Sequence, residues 1–434
     1  MPRKLAAVHY QDHLVGAVYW DSPKACASFR YDPDFVAKGI ELAPIKMPAN
    51  NRTYQFTRLD ESFHGLPGLL ADCLPDTFGN ALIDQWLHSQ NRDPADFNPV
   101  ERLCYMGQRS MGALSFQPAI GAKLENADAI EIERLLELAS QALEVKESLH
   151  TQFEDSEGLE QILQVGTSAG GARAKAVIAW NKDTGEARAG QTECPPGFAH
   201  WLLKFDGVDS AFDGIRDPQG YGRIEYAYSL MAKEAGIEMN PCRLLEENGR
   251  AHFMTKRFDR DANGQKIHYA SLFGIAHMPY LAPGAHSHSY ENLFEVIEKL
   301  SLPKTDAHQT FLRMVFNVLA FNKDDHVKNF GFLYHSQWRL APAFDLTYAH
   351  NPAPGKWTAN QQMSVRGKRE EIKTSDMIQF AKDQSLATLP AIKSMIDQVV
   401  QAIRKWPEFA EQAKVGDKNA AKIEHALKQS LTKS

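Results

Sequence analysis

Hydrophobic and polar positions change period several times along the chain. Leu14 to Trp20 alternates weakly and is rich in aromatic residues, as a half-buried strand does. Phe29-Arg-Tyr-Asp-Pro-Asp-Phe35 sets a turn signal between aromatic anchors. Gly65 to Trp86 reads as helical, punctuated by Pro75 and Gly79, and Gly107 to Phe116 as a glycine-rich turn closing onto a strand. The first 115 or so residues therefore predict a β-rich unit. Next, Ile130, Ile132, Leu135, Leu136, Leu138, Ala139, Ala142 and Leu143 fall largely on one helical face, a boundary helix. Strand-like runs follow at Ala174 to Trp180, Trp201 to Phe205 and His252 to Phe258. One helix interrupts them, Glu225 to Ala235, ended by Gly236. From about residue 285 the period is helical: Tyr290 to Leu300, Ala307 to Asn322 and Ala387 to Trp406.

This order predicts an α+β chain whose mixed part precedes a helical part. Its composition shifts divide it into a β-rich N-terminal subdomain (1–125), a mixed lobe with a glycine-rich segment (126–284) and a helical lobe (285–434). In 434 residues, 43% hydrophobic and 24% charged content excludes a disordered chain, a fibre and a minimal disulfide scaffold. A net charge of −6 gives no reason for direct nucleic-acid binding. The basic cluster Arg366, Lys368 and Arg369 is explained by a solvated face. Cys26, Cys73, Cys104, Cys194 and Cys242 are scattered, odd in number and never paired as Cys-x-x-Cys. That argues against a disulfide framework or zinc knuckle. No run approaches 18 apolar residues and the start lacks a signal-peptide core, so the expected compartment is the cytoplasm, with no membrane partner.

Candidate chemistry comes from four places. Gly166-Thr-Ser-Ala-Gly-Gly171 can bring backbone N–H groups close to a phosphate, although no Gly-Lys-Ser/Thr closes it as a Walker loop. Lys204, between Leu203 and Phe205 on a predicted strand, points to solvent or reaches a charged ligand. Glu225 is a candidate partner for it. Asn322-Lys-Asp-Asp-His-Val-Lys-Asn329 places Asp324 and Asn329 at the Asp-x-x-x-x-Asn spacing of a kinase catalytic loop. Asp345, in Ala343-Phe-Asp-Leu346, then follows a short hairpin. There a carboxylate would supply the hard oxygen that Mg²⁺ prefers. Gly-rich loop, strand lysine, acidic loop and late aspartate is the order of a protein-kinase active site. A transition-metal site at Asp324-Asp325-His326 is the rival reading. It has a single local histidine and no His-x-x-x-His helix.

The stretches Leu66 to Asp76, Gly166 to Lys175, Thr255-Lys-Arg-Phe-Asp-Arg260, Asn322 to Asn329 and Pro342-Ala-Phe-Asp345 resemble the HipA-type toxin kinases of bacterial toxin–antitoxin modules. The resemblance implies a protein-kinase-like two-lobe fold with an N-terminal β-rich subdomain and an all-helical C-lobe. It implies a Mg²⁺- and ATP-dependent serine/threonine kinase, Asp324 as catalytic residue, and Asn329 and Asp345 as metal ligands. It places nucleotide contacts at Gly166, Thr167, Ser168, Ala169, Gly170, Gly171, Lys175, Lys204, Phe258, His326, Lys328, Asn329 and Asp345. The Arg257-Phe-Asp259 strand would lie at the inter-lobe hinge, with Phe258 near the adenine. Ser168 would be the site of an inactivating autophosphorylation, its added charge repelling bound triphosphate. The implied partners are a helix-turn-helix antitoxin, operator DNA reached through that antitoxin, and a protein substrate in translation such as an aminoacyl-tRNA synthetase. Growth arrest and persistence would follow. The alternative is a catalytically weak kinase-like module acting mainly in an antitoxin–DNA repressor complex. The chain departs from ordinary kinases in reading Asn-Lys-Asp for His-Arg-Asp, and Asp345-Leu for Asp-Phe-Gly. Lys256 stands at the hinge, where a relative has an acidic residue.

Overall fold

A computed structural model describes residues 3–75, 77–120, 131–147, 156–166, 173–191, 194–208, 219–280, 288–351, 353 and 357–433. They form two compact units, one of 1–222 with 243–270, the other of 223–242 with 271–434.

The first unit carries two five-stranded antiparallel sheets. One comprises β1 (Leu5–Tyr10), β2 (His13–Asp21), β3 (Cys26–Tyr31), β4 (Thr53–Gln55) and β5 (Leu114–Gln117), in the order β4-β3-β2-β1-β5. Its helices are α1 (Pro33–Ala37), α2 (Gly68–Ala71), α3 (Thr77–Ser89), α4 (Pro99–Met106), α5 (Ile132–Glu147) and α6 (Ser156–Gly166). The second sheet comprises β6 (Lys175–Trp180), β7 (Ala187–Ala189), β8 (Ala199–Lys204), β9 (Cys242–Glu247) and β10 (Arg250–Lys256), in the order β7-β6-β8-β10-β9.

Side-chain alternation explains how this second sheet is used. Ala176, Ile178, Trp201, Leu203 and Met254 join a buried core with Phe78, Leu82 and Ile83 of α3, Leu135 and Leu138 of α5, and Ile162 and Leu163 of α6. The opposite face is left for Lys175, Lys204 and Phe253. Sequence periodicity finds β6, β8, β10 and α5 but misses α6 and β9. Gly158 breaks the apolar pattern of α6 and Gly166 ends it, and Arg243, Glu246 and Glu247 give β9 a polar look.

The second unit is mainly helical. It takes most of α7 (Tyr221–Glu234), which follows β8, and, after β11 (His268–Ser271), α8 (Leu272–Ala276), α9 (Tyr290–Lys299) and α10 (Lys304–Leu319). The hairpin β12 (Gly331–Tyr334) and β13 (Trp338–Leu340) follows, then α11 (Thr374–Asp383), α12 (Leu389–Arg404), α13 (Trp406–Gln412) and α14 (Asp417–Lys433). The buried face of α10 holds Phe311, Met314, Val315, Phe316 and Leu319. Tyr228 of α7 packs edge-on to Phe316 and Trp406 and donates its hydroxyl to the Ala320 carbonyl at 2.7 Å, fixing the end of α10 where the acidic loop starts. No helix of the described residues is long and apolar enough to cross a membrane.

Candidate active site

In the first unit, Lys175 and Lys204 are directly opposed in the β6–β8 ladder. Directly opposed residues of an antiparallel pair share a face, so the two side chains stand together. Both are buried, at 2% and 8% exposure, which rules out the solvated orientation for Lys204. The Lys204 ammonium lies 5.8 Å from the Phe253 ring centroid.

Gly166 is placed differently from the expectation that it opens the glycine-rich loop. It ends α6, and a Cβ there would sit 2.5 Å from Leu82 Cδ1, so close helix packing explains the glycine. Thr167, Ser168, Ala169, Gly170 and Gly171 lie outside the described residues. Arg257-Phe-Asp259 is not a strand either: β10 ends at Lys256. Phe258 packs against Tyr269, ring centroids 5.7 Å apart. Asp259 is fully buried, gripped by Arg257 (2.7 and 2.5 Å), Arg260 (2.8 Å) and the Gly112 N–H (2.8 Å). Burial alone would raise this acid. The two guanidiniums overcome that and hold it well below the usual carboxylate range.

In the second unit, the loop after α10 and the turn after β13 are tied together. The Asn322 amide donates to Asn317 Oδ1 (2.9 Å) and to the Asp345 carbonyl (3.4 Å). Asn322 also forms a parallel bridge with Ala349, with Lys323 N–H donating to the Ala349 carbonyl and Ala349 N–H to that of Phe321, both at 3.0 Å. The turns bearing Asp324 and Asp345 thus meet, and both carboxylates act electrostatically on His326. Asp345 itself has φ 55°, a left-handed conformation that costs a non-glycine residue about 1 kcal/mol and persists only where its surroundings enforce it.

Each side chain of the loop has a distinct task. Asn329 donates its amide to the Asp324 carbonyl at 2.7 Å, which leaves its Oδ1 as the atom for a cation. His326 Nδ1 accepts the Lys328 N–H at 3.2 Å, so the neutral ring carries its proton on Nε2, 3.7 Å from Asp324 Oδ1. Burial keeps His326 below the ordinary histidine range, against the pull of Asp324 and Asp345. The Lys328 ammonium lies over the Phe273 and Tyr280 rings, 4.6 and 5.3 Å from their centroids. No group of three or more His, Cys, Asp or Glu able to cage a metal occurs among the described residues.

Asp325, the neighbour of Asp324, does something else. It is 1% exposed and accepts from Tyr290 Oη (2.8 Å), Gln361 Nε2 (3.2 Å) and the Gln362 N–H (2.6 Å). Tyr290 is directed at it because its oxygen already accepts from Asn317 at 3.0 Å. This buried network anchors the loop from below. Sequence reasoning misses Tyr290, Asn317, Gln361 and Gln362. The available signal was Asn317, a polar residue on the apolar face of α10.

Burial raises the Asp325 acid to about 7, opposed by the Tyr290 hydroxyl and the Gln362 and Met363 N–H groups. The unfolded chain ionises at its ordinary lower value, so this group's contribution to stability falls as pH rises from about 4 to about 7 and is flat above. Asp325→Asn removes that dependence. Its destabilisation relative to wild type should be larger at pH 5 than at pH 8 by about 2 kcal/mol. Urea unfolding at the two pH values measures this, and a cost that is level or grows with pH contradicts it.

The family model described as HipA-like C-terminal domain matches residues 167–407, and that of the HipA N-terminal domain matches residues 6–117. The chain belongs to the HipA family. Two curated relatives of this HipA-family chain carry kinase names. "Putative kinase Y4mE" of Sinorhizobium fredii (strain NBRC 101917 / NGR234) is 27% identical over 215 residues, 45% of this chain and 48% of that protein. "Putative kinase" of Haemophilus influenzae (strain ATCC 51907 / DSM 11121 / KW20 / Rd) is 25% identical over 218 residues, 44% of this chain and 63% of that protein. The matches thus span less than two thirds of those relatives, about half of the first. Among solved structures, the Shewanella oneidensis MR-1 toxin–antitoxin complex of HipA, HipB and operator DNA superposes with a TM-score of 0.66 at 15% identity. The superposition covers 99% of this chain and 96% of that chain, so the two share a fold.

Proposed function

We propose that this chain is a Mg²⁺- and ATP-dependent serine/threonine protein kinase and the toxin of a toxin–antitoxin module. The observation that carries the reading is the joining of the Asp324 and Asp345 turns through Asn322. In-line phosphoryl transfer needs a carboxylate for the acceptor hydroxyl and hard oxygens for the metal in one place. Asn329 Oδ1 and the Asp345 carboxylate fit Mg²⁺, which takes one or two protein oxygens and completes its shell with phosphates and water. When bound, Mg²⁺ supplies charge neutralisation at the phosphates.

The chain's own residues do the rest. The buried pair Lys175 and Lys204 offsets phosphate charge, assisted by backbone N–H groups of the segment 167–171. Asp324 orients the protein hydroxyl and accepts its proton. The bond from the acceptor oxygen to the γ-phosphorus forms as the β–γ bridging bond breaks and ADP departs. His326 and Lys328 line the phosphate side of the loop, and Phe258 remains a candidate adenine neighbour. Ser168 is the candidate acceptor in cis, its phosphate repelling bound nucleotide.

The HipA of Shewanella oneidensis is solved with HipB and operator DNA. By analogy, a helix-turn-helix antitoxin would carry this chain, of net charge −6, to its operator. The protein substrate would be a component of translation, and the compartment the cytoplasm.

Incubating the purified chain with γ-labelled ATP and Mg²⁺ tests the reading. Label is expected on the chain and on a protein in cell lysate, and EDTA should abolish both. Absence of label together with absence of ATP binding by calorimetry overturns it in favour of a repressor module.

A further inference from the structure

We infer that Trp357 is a positioning residue for Asp324, mounted on a strap of residues 357–362 that holds the start of the loop, residues 322–325. The inference rests on the kinase reading of Asp324 and adds the device that aims its carboxylate. The Trp357 indole N–H donates to Asp324 Oδ1. The rest of the strap bonds to Asn322, Lys323 and Asp325. Gln361 Nε2 donates to the Asn322 carbonyl at 3.2 Å. Lys323 Nζ donates to the Ala359 carbonyl at 2.6 Å, and Gln362 Nε2 to the Lys323 carbonyl at 3.4 Å. The Gln362 N–H and Gln361 Nε2 hold Asp325. Gln362 also closes the strap on itself through the Trp357 and Asn360 carbonyls. Arg369 fixes its far end, donating Nε to the Gln361 carbonyl at 2.6 Å and accepting the Gln361 N–H at its own carbonyl at 3.0 Å.

The physical need is clear from exposure. The Asp324 side chain is 39% exposed, so burial alone does not choose its rotamer. A carboxylate that must meet a hydroxyl within a few tenths of an ångström needs a fixed orientation. A charge-assisted N–H on Oδ1 supplies it and leaves Oδ2 to face the acceptor. The indole is itself immobilised, packed on Tyr280 (ring centroids 5.2 Å) and His326 (6.2 Å). Asn329 holds the Asp324 backbone from the other side.

Trp357→Phe keeps an aromatic ring for Tyr280 and His326 but deletes the N–H together with the smaller ring of the indole. It should lower kcat about tenfold, the worth of one charge-assisted hydrogen bond, while KM for ATP and the unfolding midpoint stay at wild-type values. An unchanged kcat overturns the inference, and so does a raised one, which would make the indole a block on the base. A second measurement does not depend on activity. With ¹⁵N-labelled tryptophan, the seven indole N–H resonances are recorded and that of Trp357 is assigned by its loss in Trp357→Phe. It should shift in Asp324→Asn while the other six hold. No shift overturns the inference even if the wild type transfers no phosphate, an outcome that would sink only the kinase reading.

Discussion

Asp324→Asn should lower phosphoryl transfer roughly a hundred- to ten-thousand-fold, the usual worth of a positioned proton acceptor. Asparagine keeps the volume of the side chain and an oxygen for the Trp357 N–H, so the loop need not rearrange. What is lost is the negative charge and the site for the acceptor's proton. Nucleotide affinity should change little, because the proposed nucleotide and metal contacts at Lys175, Lys204, Asn329 and Asp345 are untouched. The expected pattern is therefore a collapse of kcat with ATP still bound, read by steady-state labelling beside calorimetric titration. Activity within tenfold of wild type would show that Asp324 is not the proton acceptor. Joint loss of activity and ATP binding would point to a damaged loop instead. The buried Asp325 is the natural contrast: Asp325→Asn acts first on stability, through the Tyr290 and Gln362 bonds.

Asp259→Ala should be the most destabilising single change in the first unit, by about 3–5 kcal/mol. Arg257 and Arg260 are both buried, and each makes its ion pair with this one carboxylate. Removing it leaves two guanidiniums and the Gly112 N–H without their anion in a low-dielectric setting. Against a typical total of about 5–15 kcal/mol, that is a large fraction. The pH dependence has the opposite sign to that of Asp325. The folded-state acid is held below its unfolded value, so the stabilisation is present above about pH 4 and is lost as pH falls further. Urea unfolding followed by a probe of the first unit, at pH 7 and at about pH 2, reads both effects. A loss under about 1 kcal/mol at pH 7 would show that the cluster is dispensable.

The same cluster shows where sequence reading reaches its limit. Arg257-Phe-Asp259 is legible as a motif and, on resemblance, as a hinge strand near adenine. In the folded unit it is a buried ion cluster joined to Gly112, 147 residues earlier in the chain. By itself, the sequence determined the elements with strong periods: β6, β8 and β10, the helices α5, α9, α10 and α12, and the acidic loop between α10 and β12. It also determined the family, because several short motifs stand in one order along the chain. Those features are local, set by backbone period and residue type.

Tertiary structure decided the rest. Alternation in β8 fixes that Lys204 and Leu203 point opposite ways, but only the packing of α3, α5 and α6 shows which face is covered. Two adjacent aspartates look alike in sequence, and their partners separate them into a half-exposed Asp324 and a buried Asp325. Gly166 reads as loop until α6 meets Leu82. Trp357 has no signal linking it to a residue 33 positions earlier. Loops carry no period, so the orientation of a side chain within one is set by contacts distant in sequence, and those exist only once the chain has folded.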